Sequence, residues 1–112
     1  MEAVPAAAGA AGLEYHARKV WDSPAVRFDP DCIAAVRAGT ERAGLPSRDM
    51  VSGAGHDAAY VARVAPTTMI FVPCAGGLSH NEAESTSFDE CAAGAQVLLN
   101  AVLEYDRRFA QA

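Results

Sequence analysis

Two stretches of this sequence gather residues that could do chemistry. The first is Ser52-Gly53-Ala54-Gly55-His56-Asp57. Its glycines let the main chain come close to a ligand, and His56 would sit at the mouth of the turn. The spacing is not G-x-G-x-x-G and no P-loop lysine follows, so nucleotide binding has little support. A tight turn with a partly exposed histidine is the plain alternative. The second stretch is Gly76-Gly77-Leu78-Ser79-His80-Asn81-Glu82-Ala83-Glu84. An imidazole followed by an amide and two carboxylates could face a metal, because zinc takes neutral His nitrogen and carboxylate oxygen. Zinc also needs three or four protein ligands, and Glu82 and Glu84 read equally well as a solvated loop edge. His16 has no partner signal. Nucleophile motifs are missing: there is no G-x-S-x-G elbow, and no cysteine shares a local motif with a histidine.

Both stretches need elements to hold them. Leu13–Trp21 alternates imperfectly and predicts a strand ending at Asp22-Ser23-Pro24. Asp29-Pro30 predicts a helix start, with Asp29 as cap and Pro30 at the first helical position. Ile33, Val36, Thr40 and Ala43 follow at helical spacing, and Gly44 and Pro46 end the run. Arg48–Val51 predicts a short strand leading into the first loop. Tyr60, Val61 and Val64 give a brief helical stripe ended by Pro66. Thr67–Val72 is the strongest strand expectation, continuous enough for burial on both faces. Ser87 with Glu90 predicts a capping box. Phe88, Cys91/Ala92, Ala95, Leu98/Leu99 and Val102 then keep one helical face apolar. The order β-α-β-α-β-α predicts an α/β chain, a partial parallel sheet in a three-layer α/β/α arrangement. Each loop would then follow a strand and precede a helix, the edge where such sheets bind ligands.

Composition narrows the function. The 112 residues carry a net charge of −5, so nothing marks a nucleic acid or an anionic membrane as partner. No apolar run approaches the ~20 residues of a membrane span. Met1–Pro5 lacks a basic n-region and an apolar h-region, which argues against a signal peptide. Cys32, Cys74 and Cys91 form neither a disulfide framework nor a C-x-x-C pair, and free thiols in a reducing cytosol are the simplest reading. Apolar content is 51%, but 25 residues are alanine and only 22 are Leu, Ile, Val or Phe. That is a thin core for a free-standing domain. Residues 1–12, rich in Ala and Gly, read as a flexible lead-in or the remnant of a helix.

The run from Asp49 to Tyr105 resembles a known family. Ser-Gly-Ala-Gly-His-Asp-Ala (52–58), Thr-x-Met-Ile-Phe-Val-Pro (67–73) and Gly-x-Ser-His-Asn-x-x-Glu (77–84) stand in order. The run is similar to the C-terminal part of hydantoinase/carbamoylase-type zinc hydrolases, which lie within the M20 metallopeptidase superfamily. That group includes N-carbamoyl-L-amino-acid hydrolases, allantoate amidohydrolases and β-ureidopropionases. Residues 13–48 match more loosely, through Val20-Trp-Asp-Ser-Pro-Ala-Val-Arg-Phe-Asp-Pro30. The resemblance implies that residues 13–26 end an inserted lid or dimerisation domain and that 27–112 belong to the catalytic domain.

The resemblance also implies roles. His80 matches the family's last zinc ligand. His56 matches a histidine that binds and polarises the scissile ureido or amide group, and Gly55 would let the substrate approach the main chain. Asp57 and Asn81 would support these groups. Glu82 stands where many relatives have proline. The family's other metal ligands, its general base and its substrate-carboxylate residues lie upstream of the matching region. The expectation is therefore a C-terminal segment, inactive alone, of a cytoplasmic, homo-oligomeric amidohydrolase. Its complete active site would hold two zinc ions, with manganese or cobalt as substitutes, and the isolated segment would hold none. The segment would need the N-terminal part of the catalytic domain, or a complementary chain, and a small ureido or amide substrate. Two other readings stand beside it: a non-catalytic α/β docking or dimerisation module, and a small domain binding an anion at Gly55-His56.

Overall fold

The computed structural model describes residues 3–109. Four helices appear: α1 (Ala3–Ala10), α2 (Pro30–Arg42), α3 (Ala58–Val61) and α4 (Phe88–Phe109). A 3₁₀ turn covers Ala75–Gly77. The Ala/Gly-rich opening is therefore largely helical, as α1. Helices α2 and α4 start where local chemistry says they should. Asp29 Oδ1 accepts from the Asp31 and Cys32 amides at 3.0 and 2.9 Å, and Pro30 opens the helix. Ser87 and Glu90 form the reciprocal box: the Ser87 amide donates to Glu90 Oε2 at 3.0 Å, and the Glu90 amide donates to Ser87 Oγ at 3.1 Å. The Ser87 amide bond, then those from the Ser87 and Thr86 hydroxyls, hold the Glu90 carboxyl below its usual range. Each cap contributes about 1 kcal/mol to its helix.

The expected three-layer α/β/α sheet is not there. Among the described residues no strand forms, and Leu13–Trp21, Arg48–Val51 and Thr67–Val72 all lie outside regular structure. The reason is pairing. Alternation and β-branching favour extended backbone, but a strand exists only when another runs alongside and exchanges N–H···O=C bonds. The Thr67 carbonyl accepts from the Asp29 amide at 3.0 Å, but no described segment forms a ladder beside Thr67–Val72.

What does form is a helix pair with an extended segment against it. Ala35 of α2 and Val97 and Ala101 of α4 are the buried apolar residues. Gly39 allows the close approach: a Cβ there would stand 2.9 Å from the Ala101 amide and 3.0 Å from the Val97 carbonyl. Asn100 Nδ2 donates to the Gly39 carbonyl across the pair at 3.1 Å. Glu104, 5% exposed, is held by Arg107 at 2.9 Å, by Arg108, and by Arg42 of α2 at 3.8 Å. Hydrogen bonds from Arg107 and then Arg108 lower its pKa. Gly94 does for the extended segment what Gly39 does for α2, since a Cβ there would meet Val72 Cγ1 at 2.6 Å.

The apolar face expected of α4 is not its packed face. Leu98 and Val102 are more than half exposed and, with Cys32, Val36, Ile70 and Val72, line an open apolar groove of about 970 Å³. Two global quantities agree with so small a core. The radius of gyration is 19.8 Å, where a compact chain of this length has about 13 Å. The accessible surface is 8963 Å², against about 5,900 Å² for a compact protein of this mass. No helix among the described residues is long and apolar enough to cross a membrane.

Candidate active site

The segment from Thr67 to Val72 organises the site through its alternation. Ile70 and Val72 turn toward the groove, while Phe71 faces the other way. Phe71 meets His56 edge-on, with ring centroids 5.6 Å apart at 65°. The chain reverses through the 3₁₀ turn after Val72, and the Ala75 amide donates to the Ser85 carbonyl at 2.8 Å, closing the base of the next loop. That loop carries His80. Its ring lies 5.5 Å from the His56 ring, centroid to centroid, tilted by 51°. The two histidines singled out from sequence, 24 residues apart, thus stand side by side.

Their supports differ. Ser52 Oγ lies 2.8 Å from His56 Nε2 and accepts from the Ala54 amide at 3.2 Å. The Ser52 hydroxyl's other acceptor, the Ala54 carbonyl, is 3.4 Å away. One hydrogen bond joins the Ser52 hydroxyl and His56 Nε2, and its direction follows the imidazole tautomer. His80 has φ +54°, the left-handed region that a side chain usually avoids at a cost of about 1 kcal/mol or more. Its amide donates to Glu84 Oε2 at 2.8 Å, and Cys74 Sγ donates to Glu84 Oε1 at 3.4 Å. The Glu84 carboxylate, first by that hydrogen bond, raises the Cys74 pKa.

The remaining expected residues stand nearby without touching either ring through a hydrogen bond. Asn81 Oδ1 accepts from the Ala83 amide at 2.9 Å, which makes it a turn former. Asp57 precedes α3, and its side chain forms no cap bond. A Cβ on Gly55 would meet nothing within 4 Å, so the main chain there is open to an approaching molecule. Glu82 is exposed. Ser52 and Phe71 are residues to which sequence reasoning gave no role at the histidines, and Glu84, read there as a metal-facing carboxylate or a solvated loop edge, holds the loop's main chain instead. Each histidine has its polar partner four residues away, Ser52 before and Glu84 after.

The donor set does not fit a complete metal centre. Among the described residues no three His, Cys, Asp or Glu side chains gather closely enough to share an ion. The Glu84 carboxylate is already engaged by the loop's own donors.

Residues 4–104 match the peptidase family M20/M25/M40. The chain belongs to this family. The resemblance to its hydantoinase/carbamoylase members is borne out by the closely matching relatives. An N-carbamoyl-L-amino-acid amidohydrolase from Rhizobium meliloti is 58% identical over 79 residues, 70% of this chain and 19% of that protein. The allantoate amidohydrolase of Escherichia coli K12 is 42% identical over 77 residues, 69% of this chain and 19% of that protein. The crystal structure of an amidase of the hydantoinase/carbamoylase family from Burkholderia multivorans superposes with a TM-score of 0.80 at 50% identity. That superposition covers 93% of this chain and 25% of the amidase. The chain thus spans about a quarter or less of the proteins it matches.

Proposed function

We propose that this chain supplies part of the active site of a metal-dependent amidohydrolase. The substrate class is a non-peptide C–N bond in an N-carbamoyl-L-amino acid or an allantoate-like ureide. The observation that carries the reading is the juxtaposition of His56 and His80, 5.5 Å apart, on the shared motifs. His80 contributes one metal ligand: among the described residues no hydrogen bond engages its exposed ring. Zinc, manganese and cobalt all accept such a donor. On this reading the Ser52 hydroxyl donates to His56 Nε2, and the ring proton on Nδ1 is the one given to the substrate carbonyl oxygen as negative charge develops there. Gly55 leaves room for that approach, and Asp57 and Asn81 shape the two turns.

A single imidazole cannot hold such a metal, so the other ligands come from polypeptide outside these 112 residues. The same polypeptide covers the apolar groove beside α4. The isolated chain is inactive on this reading.

The test is a graft. This chain replaces the matching stretch of the Rhizobium meliloti amidohydrolase, and release of amino acid from an N-carbamoyl-L-amino acid is measured, with metal content alongside. Hydrolysis by the graft and none by the 112-residue chain is the expected result. A folded, metal-loaded graft without hydrolysis would overturn the assignment. Stoichiometric metal on the 112-residue chain would overturn the shared centre.

A further inference from the structure

We propose that Glu84 is the positioning residue of the second histidine loop: its carboxylate fixes the left-handed turn that sets the His80 imidazole beside His56. The inference rests on reading His80 as a metal ligand, but it concerns how the loop is held.

Three independent contacts carry it. First, Glu84 Oε2 takes the His80 amide at 2.8 Å, a charge-assisted bond to the residue whose backbone is left-handed. Second, Glu84 Oε1 takes the Cys74 thiol at 3.4 Å, which ties the carboxylate to the end of the extended segment that also carries Phe71. Third, the Glu84 amide donates to the Asn81 carbonyl at 2.9 Å, so the residue closes the turn with its main chain as well. Glu84 is exposed, yet both of its carboxylate oxygens are engaged by the loop's own donors. Without it, His80 would relax to negative φ, and the direction of its Cα–Cβ bond would change. The ring would leave His56.

Solution NMR on the 112-residue chain tests this without any metal. A residue at positive φ has a short amide-to-Hα distance and gives a strong intraresidue cross-peak. We expect that cross-peak at His80 in the parent chain, with a downfield amide. Glu84→Ala should lose both. Glu84→Gln keeps an oxygen acceptor and should retain the cross-peak, with a smaller downfield shift. In the grafted enzyme, Glu84→Ala should weaken zinc affinity 10- to 100-fold, the usual effect of removing a group that orients a ligand, and Glu84→Gln should recover part of it.

A parent chain without the cross-peak, or Glu84→Ala with an unchanged cross-peak and amide shift, overturns the proposal. So does a Glu84→Gln chain that behaves as the alanine variant does. A wild-type graft that binds no zinc, alongside the expected NMR pattern, would instead refute the metal reading and leave Glu84 as the residue that sets the turn.

Discussion

In the loop that ends at His56, the partner four residues away, Ser52, grips the imidazole; in the loop at His80, the partner four residues on, Glu84, grips the main chain. The consequences differ. On the proposed reading the Ser52 hydroxyl donates to Nε2, and the ring then presents a proton at the other nitrogen. That suits a group that must donate to an oxygen. A ring held only through its backbone keeps both nitrogens available in a fixed place. That suits a group that must give a lone pair to an ion. On the proposed reading, two histidines 5.5 Å apart do different work because different groups hold them.

The largest effect that bears on this contrast is expected at His80. His80→Ala in the grafted enzyme should abolish hydrolysis and lower metal content, read by metal analysis of the purified protein. Hydrolysis that survives would mean the ring gives no lone pair to a metal, and the contrast would collapse. His56→Ala should act on the rate instead. Removing one donor to a developing oxyanion typically lowers kcat about 10²- to 10³-fold, and metal content should not change. Loss of metal in His56→Ala would show that the two rings share one job.

The contrast was only half legible in the sequence, for physical reasons. Features closed within four residues could be read directly: the Asp29-Pro30 start, the Ser87–Glu90 box and the histidines on their glycine-bearing loops. Features that depend on distant chain could not. Thr67–Val72 reads as a strand because its residues favour extended backbone, but nothing in it says whether a partner lies alongside. The α4 stripe from Phe88 to Val102 reads as core, yet the packed face is Val97, Asn100, Ala101 and Glu104. Two polar residues belong there because Asn100 reaches the Gly39 carbonyl and Glu104 is met by arginines. The supporting roles of Asp57 and Asn81 are implied by the family resemblance, and consecutive side chains leave the main chain in different directions, so neither reaches an imidazole through a hydrogen bond. Glu84 reads as a metal-facing carboxylate or as loop edge because no spacing rule announces a left-handed histidine.

The smallest expected effect lies at Ser52, and it sharpens the contrast most. Ser52→Ala removes the hydroxyl that meets His56 Nε2 at 2.8 Å while leaving the ring beside Phe71. One partly buried hydrogen bond is worth about 1 kcal/mol, so the grafted enzyme should lose only about fivefold in kcat/KM. The tautomer should change more visibly than the rate. In the free imidazole the Nε2–H form is the more stable, so without Ser52 the ring should shift toward it, and the ¹⁵N resonances of His56 should move accordingly. The His80 ring should be unaffected, because its support runs through Glu84. If His56 keeps its proton on Nδ1 in Ser52→Ala, the tautomer is set by something other than the serine. If the His80 resonances move as well, the two loops are not independently held, and the division of labour between ring and backbone support fails.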